Sequence, residues 1–178
     1  MFEIRIHGRG GQGAVTAASL LARAAGLDGK YSQGFPAFGV ERRGAPVKAF
    51  ARISSRPITL RSQVYRPDYI IVLDPSLMGL PEIKQGLKKD SVIVVNDKPG
   101  EGAHGGDDYK TYRYDATSLA LGVLGKNIVN TAMLGVFAKA SGLVSIKSIT
   151  EAIEKDFPGK IAEPNKRLVK EAYEKTKI

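Results

Sequence analysis

The run His7-Gly8-Arg9-Gly10-Gly11-Gln12-Gly13 holds the residues of this chain whose types and spacing bear most directly on chemistry. Apolar Phe2, Ile4 and Ile6 precede it at alternate positions, as in a short strand, and the alanine- and leucine-rich stretch after it is helix-forming. Glycine permits positive φ, or lets the backbone pass where a Cβ would collide. A helix that starts directly after such a turn points unpaired N–H groups and the positive end of its dipole at the mouth of the turn. That geometry suits a phosphate or another anion. Gly8, Gly10 and Gly13 also fit the G-x-G-x-x-G spacing of dinucleotide loops, in the strand-then-helix setting that the spacing requires.

Dinucleotide recognition needs a second feature, an Asp or Glu about 20 residues beyond the glycines that holds the ribose hydroxyls. The matching stretch, Lys30-Tyr31-Ser32-Gln33-Gly34-Phe35, contains no acid, and Asp28 precedes that strand in a turn beside Gly29. Three readings of the loop therefore stand side by side: an NAD site without its ribose acid, a seat for another anionic group or a partner surface, and a device for close strand–helix packing. Asp74 ends the apolar run Tyr69-Ile70-Ile71-Val72-Leu73 and is a candidate capping or ligand-facing acid, capping being preferred. No nucleophile–base pair, carboxylate dyad or metal-ligand set can be assembled, so no catalytic and no metal-binding residue is expected. Cysteine is absent, which excludes disulfides, a thiol nucleophile and an iron–sulfur cluster held by this chain's thiolates. His7 and His104 alone do not make a zinc site.

The chain has 178 residues, 43% hydrophobic and 25% charged, the composition of a soluble globular domain with a real core. Its net charge of +9 favours acidic partners. The lysines are spread along the chain, however, and Arg42-Arg43 is the only arginine pair. Without interleaved aromatics or a nucleic-acid motif, a solvated basic surface fits better than a nucleic-acid interface. No apolar run approaches the roughly 18 residues of a membrane span, and the chain opens directly on a strand, so a cytoplasmic location is expected.

The elements that must position these residues follow from periodicity. A helix is predicted over 13–25, capped by Gly26; Arg23 is its only charge, and its apolar circumference calls for cover, to which a partner subunit would contribute. A second strand spans 31–35. The block 35–46 holds two prolines and is an irregular loop, yet it carries Phe35, Phe38 and Val40 beside Glu41, Arg42 and Arg43. That make-up fits an interface or a ligand lid, or aromatics tucked into the chain's own core. Residues 47–54 alternate as a half-exposed strand, antiparallel or at an edge. Residues 69–73 read as a central strand, 77–89 as helical or partly so, 91–95 as a buried strand, 99–108 as a surface loop and 111–114 as a short strand. Helices are predicted over 116–122, over 130–140 with Gly142 closing, around Ile146–Phe157, and around Leu168–Tyr173. The expectation is one α/β, Rossmann-like domain over 1–178, with a mainly parallel central sheet, helices on both faces and a helical C-terminal third. An anion-ready loop and an apolar lid without catalytic chemistry suggest one subunit of a larger enzyme; the alternative class is a stand-alone nucleotide-binding or redox-sensing module.

Three blocks then identify a family. His7–Gly13, Gly34–Pro46 and Asn130-Thr131-Ala132-Met133-Leu134-Gly135 resemble the gamma subunit of 2-oxoacid:ferredoxin oxidoreductases, most closely the pyruvate type, and the likeness follows the whole chain in order. The resemblance implies a complex that converts pyruvate, coenzyme A and oxidised ferredoxin into acetyl-CoA, CO2 and reduced ferredoxin. It implies that thiamine diphosphate, Mg and iron–sulfur clusters are bound by the alpha, beta and delta partners and that no cofactor is bound by this chain alone. The absent cysteines and ribose acid agree. Gly8, Gly10, Gly11, Gln12, Gly13, Phe38, Gly39, Glu41, Arg42, Arg43 and Gly44 are then the candidate interface or cofactor-facing residues, beside the coenzyme A access path. Arg42 and Arg43 suit a phosphate or carboxylate, or an intersubunit ion pair. Another 2-oxoacid, such as 2-oxoisovalerate or 2-oxoglutarate, is compatible with the same blocks.

Overall fold

The computed structural model describes residues 1–37, 43–99 and 109–177. Its frame is one mixed six-stranded sheet: β1 (Phe2–Arg9), β2 (Tyr31–Pro36), β3 (Pro46–Ser54), β4 (Tyr69–Val72), β5 (Val92–Asn96) and β6 (Lys110–Tyr114). The spatial order is β2-β3-β1-β4-β5-β6. β1, β4, β5 and β6 are mutually parallel, whereas β3 runs antiparallel to both β1 and β2. The uninterrupted apolar runs of β4 and β5 are explained by cover on both faces of the sheet.

On one face Ile4, Ile6, Ala49, Ala51 and Ile71 pack under α1 (Ala14–Leu27) and α4 (Asn130–Ser141). α5 (Ile146–Asp156) and α6 (Gly159–Lys175) form a further layer, with α3 (Ala116–Leu124) against α4 and α6. On the other face Ile70, Val72, Ile93 and Val95 meet Leu77, Met78 and Ile83, from a 3-10 turn (Pro75–Leu77) and the single-turn α2 (Pro81–Lys84). Helices thus cover both faces, unequally. Among the described residues no helix is long and apolar enough to cross a membrane.

Several expectations change. α1 runs past Gly26 to Leu27, and it is Gly29, at φ 75°, that takes the left-handed position after the helix, while Lys30 N–H closes onto the Ala25 carbonyl. The apolar circumference of α1 is covered by β1, β2, β3, α4 and α5 of the same chain, and only the Ser19, Arg23 and Gly26 side is exposed, so the fold leaves no greasy face for a partner there. β3 is neither half-exposed nor an edge. Phe50 and Arg52 are buried on its second face. The Arg52 guanidinium donates to Glu3 Oε1 (2.9 Å), Gln33 Oε1 (3.3 Å), Ser62 O (2.7 Å) and Gln63 O (3.2 Å), and it lies 5.2 Å from the Phe35 ring centroid. A buried cation with these partners is satisfied. The 77–89 reading holds in its partly helical form: α2 ends at Lys84, and Gly86 follows at φ 75° against the Tyr65 backbone, where a Cβ would lie 1.9 Å from the Tyr65 carbonyl oxygen. His104 lies outside the described residues.

Close helix packing depends on Gly135. A Cβ there would sit 2.3 Å from Val169 O on α6. In an unobstructed helix Gly→Ala would stabilise by about 0.5–1 kcal/mol. Here overpacking outweighs that gain, and Gly135→Ala is expected to lower unfolding free energy by about 1–3 kcal/mol in urea denaturation. An unchanged or raised midpoint would contradict the close approach of α4 and α6.

Candidate functional site

The site is built at the carboxyl ends of β1 and β4. β1 extends through Gly8 and Arg9, so the turn proper comprises Gly10, Gly11, Gln12 and Gly13, with positive φ at Gly11 (96°) and at Gly13 (78°), the residue preceding α1. Gly8 is needed for space: a Cβ would stand 3.2 Å from Leu73 Cδ1 and 3.3 Å from Gln12 Oε1.

The side chain of Gln12 folds back across the turn. Its Oε1 accepts from the Arg9 N–H at 2.7 Å, and its Nε2 donates to Asp74 Oδ2 at 3.0 Å. Arg9 reaches the same carboxylate through Nε at 3.2 Å and also donates to Ser76 Oγ (2.7 Å) and Gly44 O (3.1 Å). Asp74 caps the 3-10 turn by accepting from the Ser76 N–H at 3.0 Å, which bears out its capping role. Burial raises the pKa of Asp74, but hydrogen bonds from Ser76 and Gln12 and the Arg9 charge outweigh it and hold the carboxyl below its ordinary value.

Two further segments are tied to this turn. Gly10 N–H donates to Ala45 O (2.9 Å), Gly44 N–H donates to Gly10 O (3.1 Å), and Gly10 forms an isolated parallel bridge with Arg43. From the helical side, Asn130 Nδ2 approaches Gly13 O at 3.4 Å, and a Cβ on Gly13 would lie 2.5 Å from that nitrogen. The three sequence blocks, far apart in the chain, thus meet at Gly10–Gly13. Of the predicted site residues, Gly8, Gly10, Gly11, Gln12, Gly13, Arg43 and Gly44 come together; Phe38, Gly39, Glu41 and Arg42 lie outside the described residues. Arg9 and Ser76 were missed as site residues. The parallel register, which pairs Ile6 with Ile71 and His7 with Val72, would have put Arg9 level with Asp74.

These groups define the turn's chemistry. A carboxylate and an amide oxygen sit at its mouth, and Arg9 is engaged by Asp74, Ser76 and Gly44. The strand that follows α1 lies two places from β1, with β3 between them, so the ribose shelf of a dinucleotide fold is not built. Asp28 is committed elsewhere, accepting from Ser145 N–H (2.7 Å), Ser145 Oγ (2.7 Å) and Ser148 Oγ (2.6 Å) at the start of α5. Among the described residues no cluster of His, Cys, Asp and Glu has the make-up of a metal site.

Fold and site together define a Rossmann-like α/β chain whose glycine turn is closed by its own side chains. A family model described as pyruvate ferredoxin/flavodoxin oxidoreductase matches residues 3–175, and the chain belongs to that family, on its gamma-subunit branch. It is 56% identical over 174 residues to the pyruvate synthase subunit PorC of Methanothermobacter thermautotrophicus, covering 98% of this chain and 95% of the relative. It is 53% identical to the gamma subunit common to the pyruvate and ketoisovalerate oxidoreductases of Pyrococcus furiosus, covering 100% and 98%. The structure of the pyruvate oxidoreductase subunit PORC of Thermotoga maritima superposes with a TM-score of 0.85 at 40% identity, covering 99% and 97%.

Since the Asp74 pKa is lowered on folding, its contribution to stability is present above the unfolded pKa near 3.8 and disappears as pH falls through the lower folded value. Asp74→Asn is therefore expected to cost about 1–3 kcal/mol at pH 7. The gap to the unsubstituted protein should close as pH falls through the lowered folded pKa of Asp74, as followed by denaturant unfolding across pH. A gap that persists undiminished at acid pH where Asp74 is protonated would show that the charge is not what the turn uses.

Proposed function

We propose that this chain is the non-catalytic but required gamma subunit of a multi-subunit pyruvate:ferredoxin oxidoreductase. The complex would form acetyl-CoA, CO2 and reduced ferredoxin from pyruvate, coenzyme A and oxidised ferredoxin. Thiamine diphosphate, Mg and the iron–sulfur clusters belong to the other subunits on this reading. The absence of cysteine supports that division for the clusters, because this chain has no thiolate to ligate one.

The observation that carries the proposal is the convergence of the three family blocks on one self-satisfied turn. Arg9, Gln12 and Asp74 hold one another, so the turn offers shape rather than reactive groups. What it displays is the segment leading into β3: Arg43 is exposed there, its main chain pinned to Gly10. The segment between β2 and β3, with Phe38, Gly39, Glu41, Arg42, Arg43 and Gly44, would face the alpha, beta or delta subunits and the coenzyme A access path. An arginine fork suits the phosphates of coenzyme A or a partner carboxylate. The shared gamma subunit named in Pyrococcus furiosus favours a second reading, in which one gamma chain serves both a pyruvate and a branched-chain 2-oxoacid complex.

The test is Arg42→Ala/Arg43→Ala in the co-expressed complex. Loss of charge-assisted contacts to coenzyme A is expected to raise its apparent KM by about tenfold or more, with subunit composition unchanged by native mass spectrometry. Failure of the complex to assemble would place the pair at a subunit interface. Unchanged KM in an intact complex would remove both roles.

A further inference from the structure

The sheet face opposite α1 and α4 holds a second polar centre that the glycine turn does not use. Arg5 and His7 point there from β1, and both are buried, with relative exposures of 5% and 4%. Arg5 is anchored by four hydrogen bonds: Nη2 donates to the carbonyls of Glu82 (3.0 Å), Ile83 (2.9 Å) and Gln85 (2.9 Å), and Nε donates to His7 Nε2 at 2.9 Å. Because Nε2 is an acceptor, the proton of the neutral imidazole must reside on Nδ1. Burial, together with the Arg5 and Lys48 charges, pushes the His7 pKa down to about 3, so the ring is neutral at physiological pH.

His7 lines a cavity of about 290 Å³. No hydrogen bond joins its Nδ1–H to the described residues, nor does any ion pair or hydrogen bond among them engage the Lys48 ammonium, which lines the same cavity. The remaining walls are apolar, from Val47, Leu77, Leu80 and Ile83, with the Glu82 side at the rim. The Nδ1–H of this nine-tenths buried ring opens onto the cavity beside the Lys48 ammonium, so an acceptor with negative charge seated there meets a donor and a cation together.

We propose that this cavity binds a short-chain monocarboxylate. Its carboxylate pairs with Lys48 and accepts from His7 Nδ1–H, while its alkyl tail lies against Leu77, Leu80 and Ile83. The charge inventory selects a monoanion: among the described residues Lys48 is the one uncommitted cation lining the cavity, Arg5 is spent on α2 and His7, and the Glu82 carboxylate repels a second negative charge. At about 30 Å³ per water-sized unit the volume takes roughly ten such units, ample for a six-carbon acid. Arg5 is a positioning residue, fixing the tautomer and orientation of His7. This site stands independently of the subunit role proposed above.

The experiment is calorimetric titration of the full chain with hexanoate, hexanamide and inorganic phosphate, with the His7 Nδ1–H resonance followed by NMR. Hexanoate is expected to bind one to one and shift that resonance. Hexanamide should bind at least about tenfold more weakly, the factor of a charge-assisted contact, and phosphate should not compete. Lys48→Met should weaken hexanoate by a similar factor, whereas Lys48→Arg stays within about threefold, and Leu80→Trp, which fills the cavity, abolishes binding. The proposal is overturned if hexanoate does not bind, if amide or phosphate binds as well as the acid, or if folded Lys48→Met and Leu80→Trp proteins retain full affinity.

Discussion

The carboxylate of Asp74 is the constraint on which this architecture rests. It stands at the end of β4, one strand from the glycine turn, and receives Gln12, Arg9 and Ser76 at once. Through Gln12 it closes the turn; through Arg9 it reaches the Gly44 carbonyl and so the segment entering β3. Hydrogen bonds to a charged acceptor are about twice as strong as neutral ones. Several converging on one partly buried group form a network that loses more than one contact when any member is removed. A turn held in this way needs no phosphate to define its shape.

The rest of the fold supports that arrangement. The parallel register of β1 and β4 sets Arg9 beside Asp74. Insertion of β3 between β1 and β2 replaces the ribose shelf with a strand whose first residues belong to the segment stapled to Gly10. α4 brings Asn130 against Gly13, and α6 locks α4 through the glycine contact at position 135. The same topology that leaves out the ribose shelf therefore presents the 43–46 segment at the sheet end. A glycine-rich turn can serve for its backbone geometry without the residues that recognise a nucleotide.

Elements governed by local periodicity were legible in the sequence. The apolar runs of β4 and β5, the αL closure at Gly142 and the amphipathic α5 follow from residue types alone. What escaped depends on partners distant in the chain. Arg52 reads as a solvent-facing residue until Glu3 and the carbonyls of Ser62 and Gln63 arrive to satisfy it, which is why β3 looked half-exposed. Of the two glycines near the end of α1, only the backbone trajectory into β2 selects Gly29 over Gly26. At the site, the glycines and Gln12 were recognisable by type, yet Gln12 as a clasp and Arg9 as a bridge became visible only once the register of β4 was known.

Amide hydrogen exchange of the isolated chain, compared with its Gln12→Ala variant, tests the clasp most directly. Gly10 and Gly44 N–H groups carry the bonds between the turn and the 43–46 segment. Their protection is expected to fall by about tenfold or more when the Gln12 side chain is removed, consistent with the loss of a charge-assisted contact, while the amides of Ile71 and Val94 in the sheet stay protected. Unaltered protection at Gly10 and Gly44 would mean that the turn holds its shape without the Gln12 side chain, and would contradict the clasp outright.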